Sequence, residues 1–166
     1  SSWFGARISS IAFEAATLRA PLLAWYQRVR RPLPWRILWE RHRDPYHVWV
    51  SEIMLQQTVI KAVVPVYDRF LRAFPGVFAL ADADESAVRR AVRGLGYYRR
   101  FGNLHAAARL LTRGAFVWPT TYAGWRELPG VGDYTAAAVS SIAFGVPVAV
   151  VDGNVEVKNE ADDYEP

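Results

Sequence analysis

The sequence predicts an all-α fold, and three observations carry that prediction. Apolar residues recur at three- and four-residue intervals along most of the chain. Prolines and glycines fall where helices would start and stop rather than at hairpin spacing. The single β-branched apolar run, 146–151, has no partner run to pair with. The 166 residues suit one domain, and 52% hydrophobic with 14% aromatic residues supply a core. A charged fraction of 22% argues against wholesale disorder.

Taken in order, Leu22, Leu23, Trp25, Tyr26 and Val29 after Pro21 predict a helix over 19–30. The stretch 31–45 holds Pro32, Pro34 and Pro45 and is expected to be mostly loop. Residues 46–57 predict a buried helix. Residues 60–74 predict another, which Pro65 would kink and Pro75-Gly76 would end. Asp82 with Glu85 three residues on has the form of a capping box before Val88, Ala91 and Val92. Gly94-Leu95-Gly96 breaks the chain, and 97–113 is helical again. A short helix over 121–127 precedes Leu128-Pro129-Gly130-Val131-Gly132, and an Ala-rich helix over 133–144 is closed by Gly145. Residues 146–151 are expected to form a buried connector. From Glu156 onward the chain is acidic, lacks apolar periodicity and is expected to be disordered.

The charge is unevenly placed. Of a net +4, residues 156–166 contribute −4, five acids against Lys158, which leaves +8 on residues 1–155. A basic body fits a polyanion, because arginines and lysines that neutralise phosphates release counterions. With no cysteine, disulfides, thiolate zinc sites and cysteine-held iron–sulfur clusters are excluded within the chain. His42, His47 and His105 show no ligand spacing and read as ordinary surface or core residues, so no metal site is expected. No apolar run is long enough for a membrane span, and no secretory signal is evident. The sequence begins at Ser1 without a Met, which fits a start inside a longer protein.

Three features bear on chemistry. The Gly130-Val131-Gly132 turn between two short helices is either a plain turn or a clamp whose backbone amides, aided by the next helix's dipole, hold a phosphate. Glu52 stands alone among Val48, Trp49, Val50, Ile53, Met54 and Leu55, with Gln56 on the same helix face. It either lies on the solvent face or is buried and kept protonated, the state a general acid needs. Asp152, in Val151-Asp152-Gly153-Asn154, is either a turn residue or a carboxylate presented at a pocket wall. A protonated acid with an ionised partner is the division of labour that breaks a glycosidic bond.

Several strings in unbroken order resemble the MutY-type adenine DNA glycosylases of the endonuclease III, helix-hairpin-helix superfamily. They are Leu33-Pro34-Trp35-Arg36, Trp49-Val50-Ser51-Glu52-Ile53-Met54-Leu55-Gln56-Gln57-Thr58, Gly94-Leu95-Gly96-Tyr97-Tyr98, Asn103-Leu104-His105, Leu128 to Ala136 and Val151-Asp152-Gly153-Asn154. The resemblance runs from about Leu18 to Glu156. It implies a six-helix glycosylase core with an N-terminal helix, at 18–156, between an extension at 1–17 and the acidic tail at 157–166. It also implies a base-flipping enzyme that removes adenine mispaired with 8-oxoguanine or guanine in double-stranded DNA. Glu52 would protonate the adenine and Asp152 stabilise the sugar cation, with Tyr134 and Asn154 in support. Trp35, Arg36 and Leu55 would line the base pocket. Gln56, Gln57, Tyr98, Leu128, Gly130, Val131, Gly132 and Thr135 would meet DNA, Gln57 and Tyr98 as wedges.

The endonuclease III branch carries a lysine just after the hairpin, where this chain has Tyr134, which cannot form a Schiff base. A monofunctional enzyme is therefore expected. The family's later helices, its four-cysteine 4Fe-4S cluster and its 8-oxoguanine-reading domain have no counterpart here. No cofactor is expected within the chain, and the first helix is expected to show an apolar face without its family packing partner. A monomer in a bacterial cytoplasm is the expected setting. The alternatives are an inactive fragment that only grips DNA and a relative acting on mispaired thymine or uracil.

Overall fold

The computed structural model describes residues 17–151, and every described element is helical. The chain divides into two units, Ser1–Pro32 and Leu33–Pro166. In the first, residues 17–29 form helix α1, and Leu22, Leu23, Trp25 and Val29 on it are all exposed. The extension at 1–16 and the tail at 157–166 lie outside the described residues. None of the described helices is long and apolar enough to cross a membrane.

The second unit is built around one buried helix. Its described elements are α2 (Pro34–His42), α3 (Pro45–Leu55), α4 (Ile60–Ala73), α5 (Val77–Ala81), α6 (Glu85–Ala91), α7 (Arg99–Leu111), α8 (Tyr122–Arg126) and α9 (Asp133–Phe144). Helix α3 packs against α2, α4, α7 and α9, and nine of its eleven residues are buried. Its start is set locally: Asp44 accepts a hydrogen bond from the Tyr46 amide at 2.9 Å, and Pro45 occupies the first helical position, where its missing N–H is not needed. Helix α9 presents Thr135, Ala136, Ala137, Ala138, Val139 and Ser140 to the interior, and these small side chains let it lie close along α3.

Several expectations are corrected. The stretch 31–45 is not mostly loop, because α2 occupies nine residues of it. Pro34 and Pro45 each open a helix rather than break one, and Arg43 in the left-handed region ends α2. Pro65 does not interrupt α4, which runs on to Ala73. Asp82 closes α5 and makes no capping box with Glu85; Asp84 stands at the N-cap of α6 without a side-chain bond. Residues 146–151 form no strand, but they are half-buried to exposed rather than buried. His47 and His105 are buried and His42 is exposed.

Arginines join the ends of these short helices. Arg69 donates to the Ala91 and Arg93 carbonyls at 2.9 and 2.8 Å, and Arg109 donates to those of Ala81 and Ala83, both at 3.1 Å. Each fork thus takes up carbonyls that the end of α6 or α5 leaves without an intrahelical partner. An aromatic stack forms the opposite wall. Trp125 lies parallel to Trp118 at 5.8 Å and contacts Trp49 on α3 and Phe144 on α9. Being fully buried, Trp125 holds α8, and with it the following turn, against the core. Replacing it with alanine removes those contacts, and Trp125→Ala is expected to lower unfolding stability by about 3–5 kcal/mol in a urea titration.

Candidate active site

The site is assembled where the C-terminus of α3 meets the N-terminus of α9. Gln56, the residue that ends α3, donates from Nε2 to the Thr135 hydroxyl at 3.2 Å, joining segments 79 residues apart. Beside this junction lies an open cleft of about 800 Å3. Of the expected residues, Gln56, Gln57, Tyr98, Gly130, Gly132, Tyr134 and Thr135 line it, together with Val151 at the end of the described chain.

The turn between α8 and α9 is held rigidly. Gly130 is in the left-handed region, and a Cβ built there would come within 2.5 Å of the Asn103 Cβ, so a side chain is excluded on both counts. The Val131 amide donates to the Leu128 carbonyl at 3.1 Å, and the Val131 carbonyl accepts from Arg126 at 2.9 Å. Gly132 opens α9 without a side-chain cap, which leaves the first-turn amides directed out of the helix. Asp133 in that turn forms an ion pair with Arg126 at 2.7 Å and accepts from the Tyr122 hydroxyl at 2.7 Å, so its charge is balanced locally. A glycine turn followed by outward amides is a place where an anion can rest.

Three of the residues expected to meet DNA turn their side chains inward. Leu128 and Val131 are buried in the core, and Thr135, 2% exposed, engages Gln56 through its hydroxyl. Their side chains build the turn rather than face outward. Tyr98 also has a structural duty, since its hydroxyl accepts from the Gly94 amide at 3.3 Å. Its neighbour Tyr97 is the more exposed ring, 69% against 43%, and lines the same cleft. Tyr97 and Gln57 both hold left-handed backbones, φ 45° and 53°, which residues with a Cβ seldom adopt. The sequence reading passed over Tyr97 because a backbone torsion, not residue type, distinguishes the two tyrosines.

Glu52 lies on the α3 face next to α2, and its carboxyl feels the Arg36 guanidinium. Burial pushes that carboxyl up to about 7 from an ordinary 4.5, against the opposing pull of Arg36. The group therefore remains about half protonated at neutral pH and more so below it, so it can give a proton to a basic atom. Leu55 and Arg36 are half-buried. Trp35 is in the core, edge-on to Tyr67 at 5.3 Å, so it can offer a wall but not an open face. The packing of α2 on α3 brings Arg36 to Glu52, and none of Glu52, Trp35, Arg36 and Leu55 lines the cleft. Asp152 and Asn154 lie outside the described residues.

Comparison with known proteins agrees with the all-helical fold. Residues 50–157 match the family described as HhH-GPD superfamily base excision DNA repair protein. The chain is 42% identical over 148 residues to the adenine DNA glycosylase of Homo sapiens, which covers 86% of this chain and 27% of the human protein. Among solved structures it resembles a thermostable thymine-DNA glycosylase, with a TM-score of 0.72 and 30% identity over 87% of this chain and 66% of that one. It also resembles endonuclease III in a non-covalent DNA complex, with a TM-score of 0.64 and 26% identity over 71% of this chain and 56% of that one. The chain thus spans about a quarter of the human relative's length. On the family match over most of its length, together with the hairpin and the all-helical core, this chain belongs to the HhH-GPD superfamily of base excision DNA repair proteins.

Proposed function

We propose that this chain is the catalytic core of a monofunctional adenine DNA glycosylase, which extrudes adenine mispaired with 8-oxoguanine or guanine and removes it hydrolytically. The observation that carries the reading is Glu52, a single carboxyl on a buried helix whose surroundings keep it protonated near neutral pH. Protonating the base turns a poor leaving group into a good one, and the developing sugar cation then needs an anion. In the family resemblance Asp152 supplies that anion, with Asn154 and Tyr134 in support. Trp35, Arg36 and Leu55 enclose the extruded base in this reading. The Gly130-Val131-Gly132 turn and the first-turn amides of α9 hold the duplex backbone, and a net +8 over residues 1–155 favours that partner.

Extrusion leaves a gap in the stack, and two residues at the cleft are suited to fill it. Gln57 is exposed, and Tyr97 offers a freer ring than Tyr98, whose hydroxyl is tied to Gly94. Tyr97 therefore joins Gln57 as the wedge in this proposal. Tyr134 at the place of the lyase branch's lysine supports simple hydrolysis. A second reading, removal of thymine opposite guanine, is supported by the likeness to the thymine-DNA glycosylase structure. Base identity in a common assay separates the two.

The deciding experiment is single-turnover base release from duplexes with adenine opposite 8-oxoguanine, adenine opposite guanine and thymine opposite guanine. The expected outcome is adenine release that falls about a thousandfold or more in Glu52→Gln, and no adduct trapped by borohydride. Thymine release, or a trapped adduct, would contradict the assignment. Binding without release in the parent would leave a DNA-gripping core and remove the catalytic role.

The raised carboxyl also predicts a stability effect of definite sign. Between pH 4.5 and about 7 the folded chain retains the Glu52 proton while the unfolded chain releases it, so stability declines as pH rises through that window. Glu52→Gln removes the titration. At pH 8 the variant is expected to be more stable than the parent by about 3 kcal/mol, with the difference gone at pH 4. Denaturant titrations at the two pH values check this.

A further inference from the structure

Among the described residues, three that are not glycine hold a left-handed backbone: Arg43, Gln57 and Tyr97. Arg43 is explained, since it ends α2 with its amide bonded to the Trp39 carbonyl. Gln57 and Tyr97 are 40 residues apart in sequence, yet both line the same cleft. Unfavourable torsions persist only where neighbouring structure over-determines them, and here one side chain reaches both turns.

That side chain is Arg100, in the first turn of α7 and only 7% exposed. Its position is electrostatically poor, because a cation there meets the positive end of the helix dipole and burial strips its water. Its terminal nitrogens answer part of that cost, while the buried Nε has no hydrogen-bond partner among the described residues. Nη1 donates to the Gln56 carbonyl, and Nη2 donates to the Thr58 hydroxyl at 2.8 Å and to the Leu95 carbonyl at 3.4 Å. The Thr58 hydroxyl in turn donates to the Gln56 carbonyl at 3.2 Å. The guanidinium thus grips the residues on either side of Gln57 and, through Leu95, the turn that leads to Tyr97. It also lies over the Phe101 ring at 4.8 Å, which fixes its plane. Arg69 and Arg109 take up helix-end carbonyls in a similar way, but their bonds lie at the ends of α6 and α5, and neither lines this cleft.

We propose that Arg100 is a positioning residue that holds the left-handed turns at Gln57 and Tyr97 at a fixed separation, so that both side chains enter the duplex together when the base is extruded. This role rests on the base-flipping reading above. Lysine keeps the charge but has no planar fork, so it cannot satisfy acceptors in two turns with one fixed geometry. A looser pair of wedges would still bind the duplex through the α8–α9 turn, but would extrude the base poorly.

The test uses the full chain and a duplex with 2-aminopurine, whose fluorescence rises on unstacking, in place of the target adenine and opposite guanine. Anisotropy of the same complex reports binding, and thermal melting reports folding. In Arg100→Lys, binding is expected to match the parent while the fluorescence rise is mostly lost and adenine release falls about tenfold to a hundredfold. Thr58→Val, which removes one acceptor and leaves Arg100 in place, should show a smaller loss of the same kind and serves if the lysine variant does not fold. Equal extrusion by parent and variants would overturn the role. So would a parallel fall in melting, binding and fluorescence, which would make Arg100 a staple of the fold alone. A parent that neither extrudes nor releases the base would remove the base-flipping reading, and this role with it.

Discussion

A helix surrounded by other helices can carry a carboxyl only if the charge is neutralised or absent, and that constraint organises this protein. Helix α3 lies against α2, α4, α7 and α9, and nine of its eleven residues are buried. Among the described residues Arg36 is the basic group that acts on the charge of Glu52, and that influence does not offset the loss of water. The carboxyl's titration is therefore moved up towards neutrality by the same packing that makes α3 the centre of the core. Stability and chemistry are opposed at this residue: a neutral side chain would suit the core better, and only an acid can deliver a proton.

The second organising feature is how the short helices and their turns are tied together. Helices of five to seven residues leave most of their end groups without intrahelical partners. Guanidinium forks supply those partners in this chain, which has 18 arginines and two lysines. The turn between α8 and α9 uses the same device, with Arg126 bonded to both Val131 and Asp133. Pairing Asp133 in this way lowers the repulsion that a bare carboxylate would present to an incoming phosphate, while the neighbouring amides remain directed outward.

Much of this was legible in the sequence, and the exceptions have physical causes. Helices α3, α4, α7 and α9 follow from apolar periodicity, and Gly145 closes α9 at φ 67° as a glycine there should. Helix α2 was hidden because Pro34 and Pro45 read as breaks, whereas the first position of a helix tolerates proline. Helix α5 is five residues long, too short to show a period. Glu52 stood out because an acid amid valines and aromatics needs a reason. Leu128, Val131 and Thr135 belong to the hairpin string, but a string cannot tell which of its side chains face inward. The string Gly94 to Tyr98 does not separate Tyr97 from Tyr98, because a backbone torsion does, and Arg100 leaves no signal because its role depends on carbonyls up to 44 residues away.

The fold of this chain sets the protonation state of Glu52. The decisive measurement follows the side-chain carboxyl resonance of Glu52 by 13C NMR as a function of pH, assigned by comparison with Glu52→Gln. The expected midpoint is about 7. A midpoint at the ordinary glutamate value of 4.5 would mean that the carboxyl is ionised at neutral pH, and would contradict it.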